Sequence, residues 1–178
     1  MRIKFLYILV LVVFFSCGDD NSKTTPKVLE EQKQDTKTIT AKAIESFKYN
    51  DYILSEDAKK EVAQWTRFQE LSTQISFLKK ADVTFFTAEK DTLKVFLDSL
   101  KVSLPENINT NPINSRISVL ETKLLKLNND LTLDNYSVDN KLGSIRDLLI
   151  ANSNLIFGIN KKLEFDKRDK EAIRPYDE

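Results

Sequence analysis

The sequence predicts an all-α fold, an antiparallel up-down four-helix bundle. Three observations predict it. The chain has only three glycines. From Ser55 onward its apolar residues recur at steps of three and four, as one buried helix face requires. Ser55, Asp82, Asn111-Pro112 and Ser137 punctuate those runs as helix starts do. The four runs fill residues 55–165, about 110 residues, which suffices for one independent core.

The first helix is expected from Ser55 to about Lys80. Ser55 is its cap, with Glu56 and Asp57 favouring the N-terminus. Ala58, Val62, Trp65, Phe68, Leu71, Ile75 and Leu78 form its buried face. Asp82 is expected to cap a second helix running to Leu104, with Phe86, Leu93, Leu97 and Leu100 inward. Lys90 interrupts that seam and is expected to reach solvent at a bundle edge. Pro105 ends the run, because proline disfavours helical geometry in the residue before it. A single helix over 55–104 would measure about 75 Å. No later helix could cover it, so a turn is expected near Lys79 to Asp82. "ENINTNPI" reads as a loop. Asn111 then caps the third helix, with Pro112 in its first position. Ile117, Leu120, Leu124, Leu127 and Leu131 give it a heptad seam. Residues 132–136 make a turn, and Ser137 caps the fourth helix. Its seam is Val138, Leu142, Ile145, Leu149, Asn152, Ile156, Ile159 and Leu163. Residues 166–178 read as a charged, solvated tail.

The N-terminal third divides into three parts. Arg2 and Lys4 precede an unbroken apolar run from Phe5 to Phe15. That is about half the length a membrane-spanning helix needs and matches a signal-peptide core. Ser16 and Cys17 follow, in "FFSC". This resembles a bacterial lipoprotein signal, in which a small residue precedes a cysteine that receives diacylglycerol. Phe14 and Phe15 depart from the Leu and small residue usual in that family. The resemblance implies a signal peptide over 1–16, lipidation of Cys17 and membrane attachment through it. Gly18-Asp19-Asp20 resembles the short acidic stretch that marks surface export in Bacteroidota, and also suits the start of a solvated tether. Residues 17–43 are expected to form a disordered, lipidated tether, since they offer little apolar surface to offset ordering entropy. Residues 44–54, "IESFKYNDYIL", are too apolar for a free linker. They are expected to dock as a strap, extended or as a short helix.

Composition removes several kinds of chemistry. There is no histidine and one cysteine, so the commonest general base and the usual zinc ligands are lacking. No glycine elbow or phosphate loop surrounds any Ser or Thr. The sequence gives no reason to expect an enzyme, a metal or any other cofactor. Basic and acidic side chains number 27 each. Without residues 1–16 the balance is about −2, with no clustered basic face for nucleic acid.

A few residues invite two readings. Asn152 lies in the fourth seam, either fixing register or meeting a buried ligand. Gly143 and Gly158 permit close helix packing or contact with a ligand. Arg116 and Arg146 form surface pairs or clamp an anion. Leu148, Ile150, Leu155 and Phe157 widen the apolar girth of the fourth helix. That girth suits a central helix packed by two neighbours and the strap, or a partner-binding patch. Asn152, Ile150 and Phe157 are therefore the candidate ligand or partner contacts.

The segments "DYILSEDAKKEVAQW", "DVTFF", "LPENINTNPINSRI" and "SNLIFGINKKLE" behind "FFSCGDD" resemble small helical lipoproteins of Bacteroidota, flavobacteria especially. The resemblance implies location and helical character, with no assigned activity. The functional expectation is an outer-membrane, lipid-anchored interaction module of the cell envelope, facing the periplasm or the surface. It would serve as accessory, adaptor or inhibitor subunit for a protein partner. The alternative is a binding protein for a small apolar or amphipathic ligand held between helices. A closed core favours the first; a cavity reaching Asn152 favours the second.

Overall fold

The computed structural model describes residues 38–172. The expected signal peptide, Cys17, the tether up to residue 37 and the segment 173–178 lie outside the described residues. Among the described residues are six α-helices, two 3-10 turns and no strand.

Helix α1, Ala41–Glu45, begins inside the segment expected to be tether. Thr40 caps it by accepting a hydrogen bond from Ala43 N at 3.2 Å. Ile44 is buried and anchors the turn against the fold. Residues 47–54 then run without helix into α2, Glu56–Glu61. The segment 44–54 thus begins with the last two residues of α1 and continues as non-helical chain.

Ser55 caps α2 as expected, its hydroxyl accepting from Ala58 N at 3.2 Å. The helix expected to continue to Lys80 breaks after Glu61 and resumes as α3, Thr66–Lys79. Trp65 accounts for the break. Its indole stacks on Phe68, with centroids 4.8 Å apart and planes at 14°. Its Nε1–H donates to the Leu100 carbonyl at 2.9 Å. Gln69 Nε2 donates to the Val62 carbonyl at 2.8 Å, which also accepts from Trp65 N at 3.0 Å, so the kink is bonded from both sides. Val62 and Trp65 are fully buried on either side of the kink.

The turn expected near Lys79–Asp82 is present and has a defined form. Ala81 sits at φ 68°. Ala81 N donates to Leu78 O at 2.9 Å and Asp82 N to Phe77 O at 3.0 Å, a Schellman motif. Asp82 caps no long helix. Its Oδ1 accepts from Thr84 N at 3.0 Å, turning the chain into a 3-10 segment, Phe85–Thr87. Helix α4 spans only Lys90–Val102. Lys90 opens this helix and is exposed, so it interrupts no seam. The break buries Phe86 and sets Phe85 edge-on to both Phe86 and Phe96.

Helix α4 ends before Pro105, and the next loop holds a 3-10 turn, Glu106–Ile108. Ile108 is fully buried there. Helix α5 is Asn111–Thr132. Its cap position is Thr110, in extended backbone, so Asn111 is the first helical residue rather than the cap. Ile117, Leu120, Leu124 and Leu127 are buried and Leu131 partly so. Ser137 caps the last helix by accepting from Asn140 N at 3.2 Å. Helix α6, Val138–Ala172, has 35 residues, about 52 Å of length. It continues into the segment expected to be a charged tail. Lys161–Glu164 and Lys162–Asp166 pairs lie just before and at the start of this extension, at spacings that support an exposed helix.

Helices α5 and α6 pack most extensively on each other. α4 packs against α5, α3 against α4, and both α1 and α2 against α6. Phe85–Thr87 closes on α5 and Glu106–Ile108 on α6.

Candidate functional site

Helix α6 organises the features of interest, each on a different side. Its inward side carries Ile145, Leu148, Leu149, Leu155 and Ile159, all buried. Asn152 lies among them, 6% exposed. Its Oδ1 is buried and has no hydrogen-bond partner. None of the three surface cavities described below is lined by Asn152.

A second side of α6 holds the strap. Ser153 Oγ accepts from Tyr52 N at 2.8 Å and donates to the Asn50 carbonyl. Seven residues on, Asn160 Oδ1 accepts from Ser55 N at 2.9 Å and its Nδ2 donates to Ile53 O at 2.8 Å. Two side chains on one helix face therefore hold three backbone groups of the strap and the N–H of the α2 cap. The Tyr52 ring lies 4.7 Å from that of Phe157. Lys79 pairs with Asp51 at 2.5 Å, linking the strap to α3. Tyr49 adjoins that pair; burial pushes its hydroxyl above the ordinary value.

The third side faces α5. An open groove of about 400 Å³ lies there, lined by Arg116, Val119, Ala151, Asn154 and Phe157. Arg116 Nη1 donates to the Pro112 carbonyl at 2.9 Å. Its stem crosses α6 at Gly158, where an added Cβ would fall 2.7 Å from Arg116 Cδ. Gly158 thus serves close approach. Gly143 does not, since a Cβ there would meet nothing within 4 Å.

Near the α5–α6 connection sits a polar cluster. Asp130 is buried and accepts from Lys126 Nζ and Ser144 Oγ. Lys126 Nζ also donates to Ser144 Oγ at 2.7 Å. Burial alone would raise the Asp130 carboxyl, but the hydrogen bonds from Lys126 and Ser144 outweigh it and hold the carboxyl below the ordinary value. The bond to Asp130 holds the Lys126 ammonium above its own. A protonated Lys126 has no lone pair with which to activate Ser144. The cluster staples two helices, beside a shallow cavity of about 230 Å³ that includes Gly143 and Arg146. A third cavity, about 610 Å³, is lined mainly by charged side chains of α2 and the outer part of α6.

Of the expected contacts, Phe157 lies at the junction of groove and strap and is partly exposed. Ile150 is also partly exposed but lines none of these cavities. Asn152 is buried away from them, and Cys17 lies outside the described residues. Leu148 and Leu155 are buried, so much of the apolar girth of α6 is covered. Ser153, Asn160, Asn128 and Asp130 were not singled out in the sequence. The seven-residue spacing of Ser153 and Asn160 is the signal that places them on one face. Among the described residues no group of three His, Cys, Asp or Glu is placed to hold a metal. No described helix is long and apolar enough to cross a membrane.

No family model, curated protein or solved structure matches this chain.

Proposed function

We propose that this protein is a lipid-anchored helical interaction module of the bacterial cell envelope. It acts as an accessory, adaptor or inhibitor subunit and performs no catalysis. One observation carries the reading: the short apolar run Phe5–Phe15 ends in Ser16-Cys17 and leads into a long polar tract. A signal peptide over 1–16, diacylglycerol on Cys17 and a polar tether behind it follow from that pattern. In this reading α3 to α6 work as an antiparallel four-helix bundle that the tether holds near the outer membrane. The resemblance to small helical lipoproteins of Bacteroidota supports that location. The close burial of the inward side of α6, at Ile145, Leu148, Leu149, Leu155 and Ile159, supports a protein surface rather than a ligand sealed between helices.

Crosslinking in intact envelopes tests the proposal, comparing wild type with Cys17→Ser. The wild type should give a discrete adduct with one partner, and the variant should lose it with membrane retention. An adduct formed equally by both chains, or none from the wild type, would count against an anchored module.

A further inference from the structure

We infer that the groove between α5 and α6 binds an alkyl carboxylate, with Arg116 holding the carboxylate and Val119, Ala151 and Phe157 meeting the chain. The inference is independent of the proposed anchoring. Among the described residues Arg116 has one hydrogen-bond partner, the Pro112 carbonyl. No acidic side chain pairs with it among the described residues. Its stem lies on bare α6 backbone because residue 158 is glycine, with the would-be Cβ 2.7 Å from Cδ and 2.9 Å from Nε. Glycine inside a helix weakens it, and here it admits the arginine.

Among the described residues the guanidinium keeps Nη2 and one Nη1 hydrogen unpaired, a fork that suits a planar carboxylate. Val119, Ala151 and Phe157 form apolar walls beside it, and Asn154 adds one polar group to the lining. Val119 is 51% exposed, and Phe157 forms part of the lining. The volume of about 400 Å³ falls within the usual range of small-ligand sites, about 300–1,000 Å³. Arg116 is the only charged residue in the lining. One cation matches a monoanion, whereas a dianionic phosphate would call for a second.

The test is calorimetric titration of the full-length chain carrying Cys17→Ser, which leaves no attached acyl chain to compete. Decanoate should bind saturably. Arg116→Gln should weaken it at least tenfold. Gly158→Ala should do the same by displacing the guanidinium, with the helical circular dichroism unchanged. Any decanoate taken up by the apolar residues 1–16 would be common to all three chains, so the differences report on the groove. Decanol should show no Arg116-dependent binding. Equal decanoate affinity in wild type and Arg116→Gln, or no saturable binding at millimolar concentration, would overturn the inference. So would decyl phosphate binding more tightly than decanoate through Arg116.

Discussion

Trp65 shows how one side chain can overrule helical periodicity. Its spacing from Val62 and Phe68 predicted a buried face correctly, and all three are fully buried. The chain nevertheless leaves the helix there, because the indole both stacks on Phe68 and donates to Leu100 O. Trp65→Phe keeps an aromatic ring but leaves the Leu100 carbonyl only the long bond from Ser103 Oγ, at 3.4 Å. It should cost about 1–3 kcal/mol, and Trp65→Ala about 3–5 kcal/mol. Denaturant titration measures both, and the single tryptophan should emit at short wavelength in the folded chain. Asp130 is a different case, a buried carboxylate that no apolar pattern could reveal. Its folded-state pKa is lowered, so the folded chain binds this proton less readily than the unfolded chain. The stabilisation is present above the unfolded value of about 3.9 and is lost as pH falls through the folded value. Asp130→Asn should therefore be less stable than wild type at neutral pH and lose less stability below about pH 4. Parallel stability curves for the two chains would contradict the assignment.

At the scale of elements, α5 and α6 were legible because their seams repeat every three and four residues over many turns. The breaks at residues 62–65 and 80–89 were less so, because each depends on partners far along the chain. Asn128 of α5 illustrates this: its Nδ2 donates to the Phe86 and Ala88 carbonyls, at 2.9 Å each. That satisfies the loop which replaced a helical turn. The apolar strap was recognisable from its aromatic residues, but its polar attachment was not. Ser153 and Asn160 hold it through backbone groups, leaving no side-chain pattern in the strap to read. Removing either polar group, as Ser153→Ala or Asn160→Ala, should loosen the strap by about 1–2 kcal/mol. Hydrogen exchange should quicken at Tyr52 and Ser55 while α5 keeps its protection. Uniform loss of protection over the whole chain would mean that the strap is part of the main cooperative core.

For the whole molecule, the helical class was accessible because heptad seams and few glycines act over the full length. The candidate site was only partly accessible. Phe157 stood out for its place on a wide apolar girth, while Arg116 drew notice only as one of two arginines. Its importance comes from Gly158 on another helix, a pairing that requires the folded arrangement. The central claim, a module anchored through Cys17, concerns the covalent state of the mature N-terminus. Intact-mass analysis of the protein from the membrane fraction tests it most directly. The account predicts a chain lacking residues 1–16, beginning at Cys17 and carrying the mass of diacylglycerol. An unmodified Cys17, or a chain retaining residues 1–16, would contradict it.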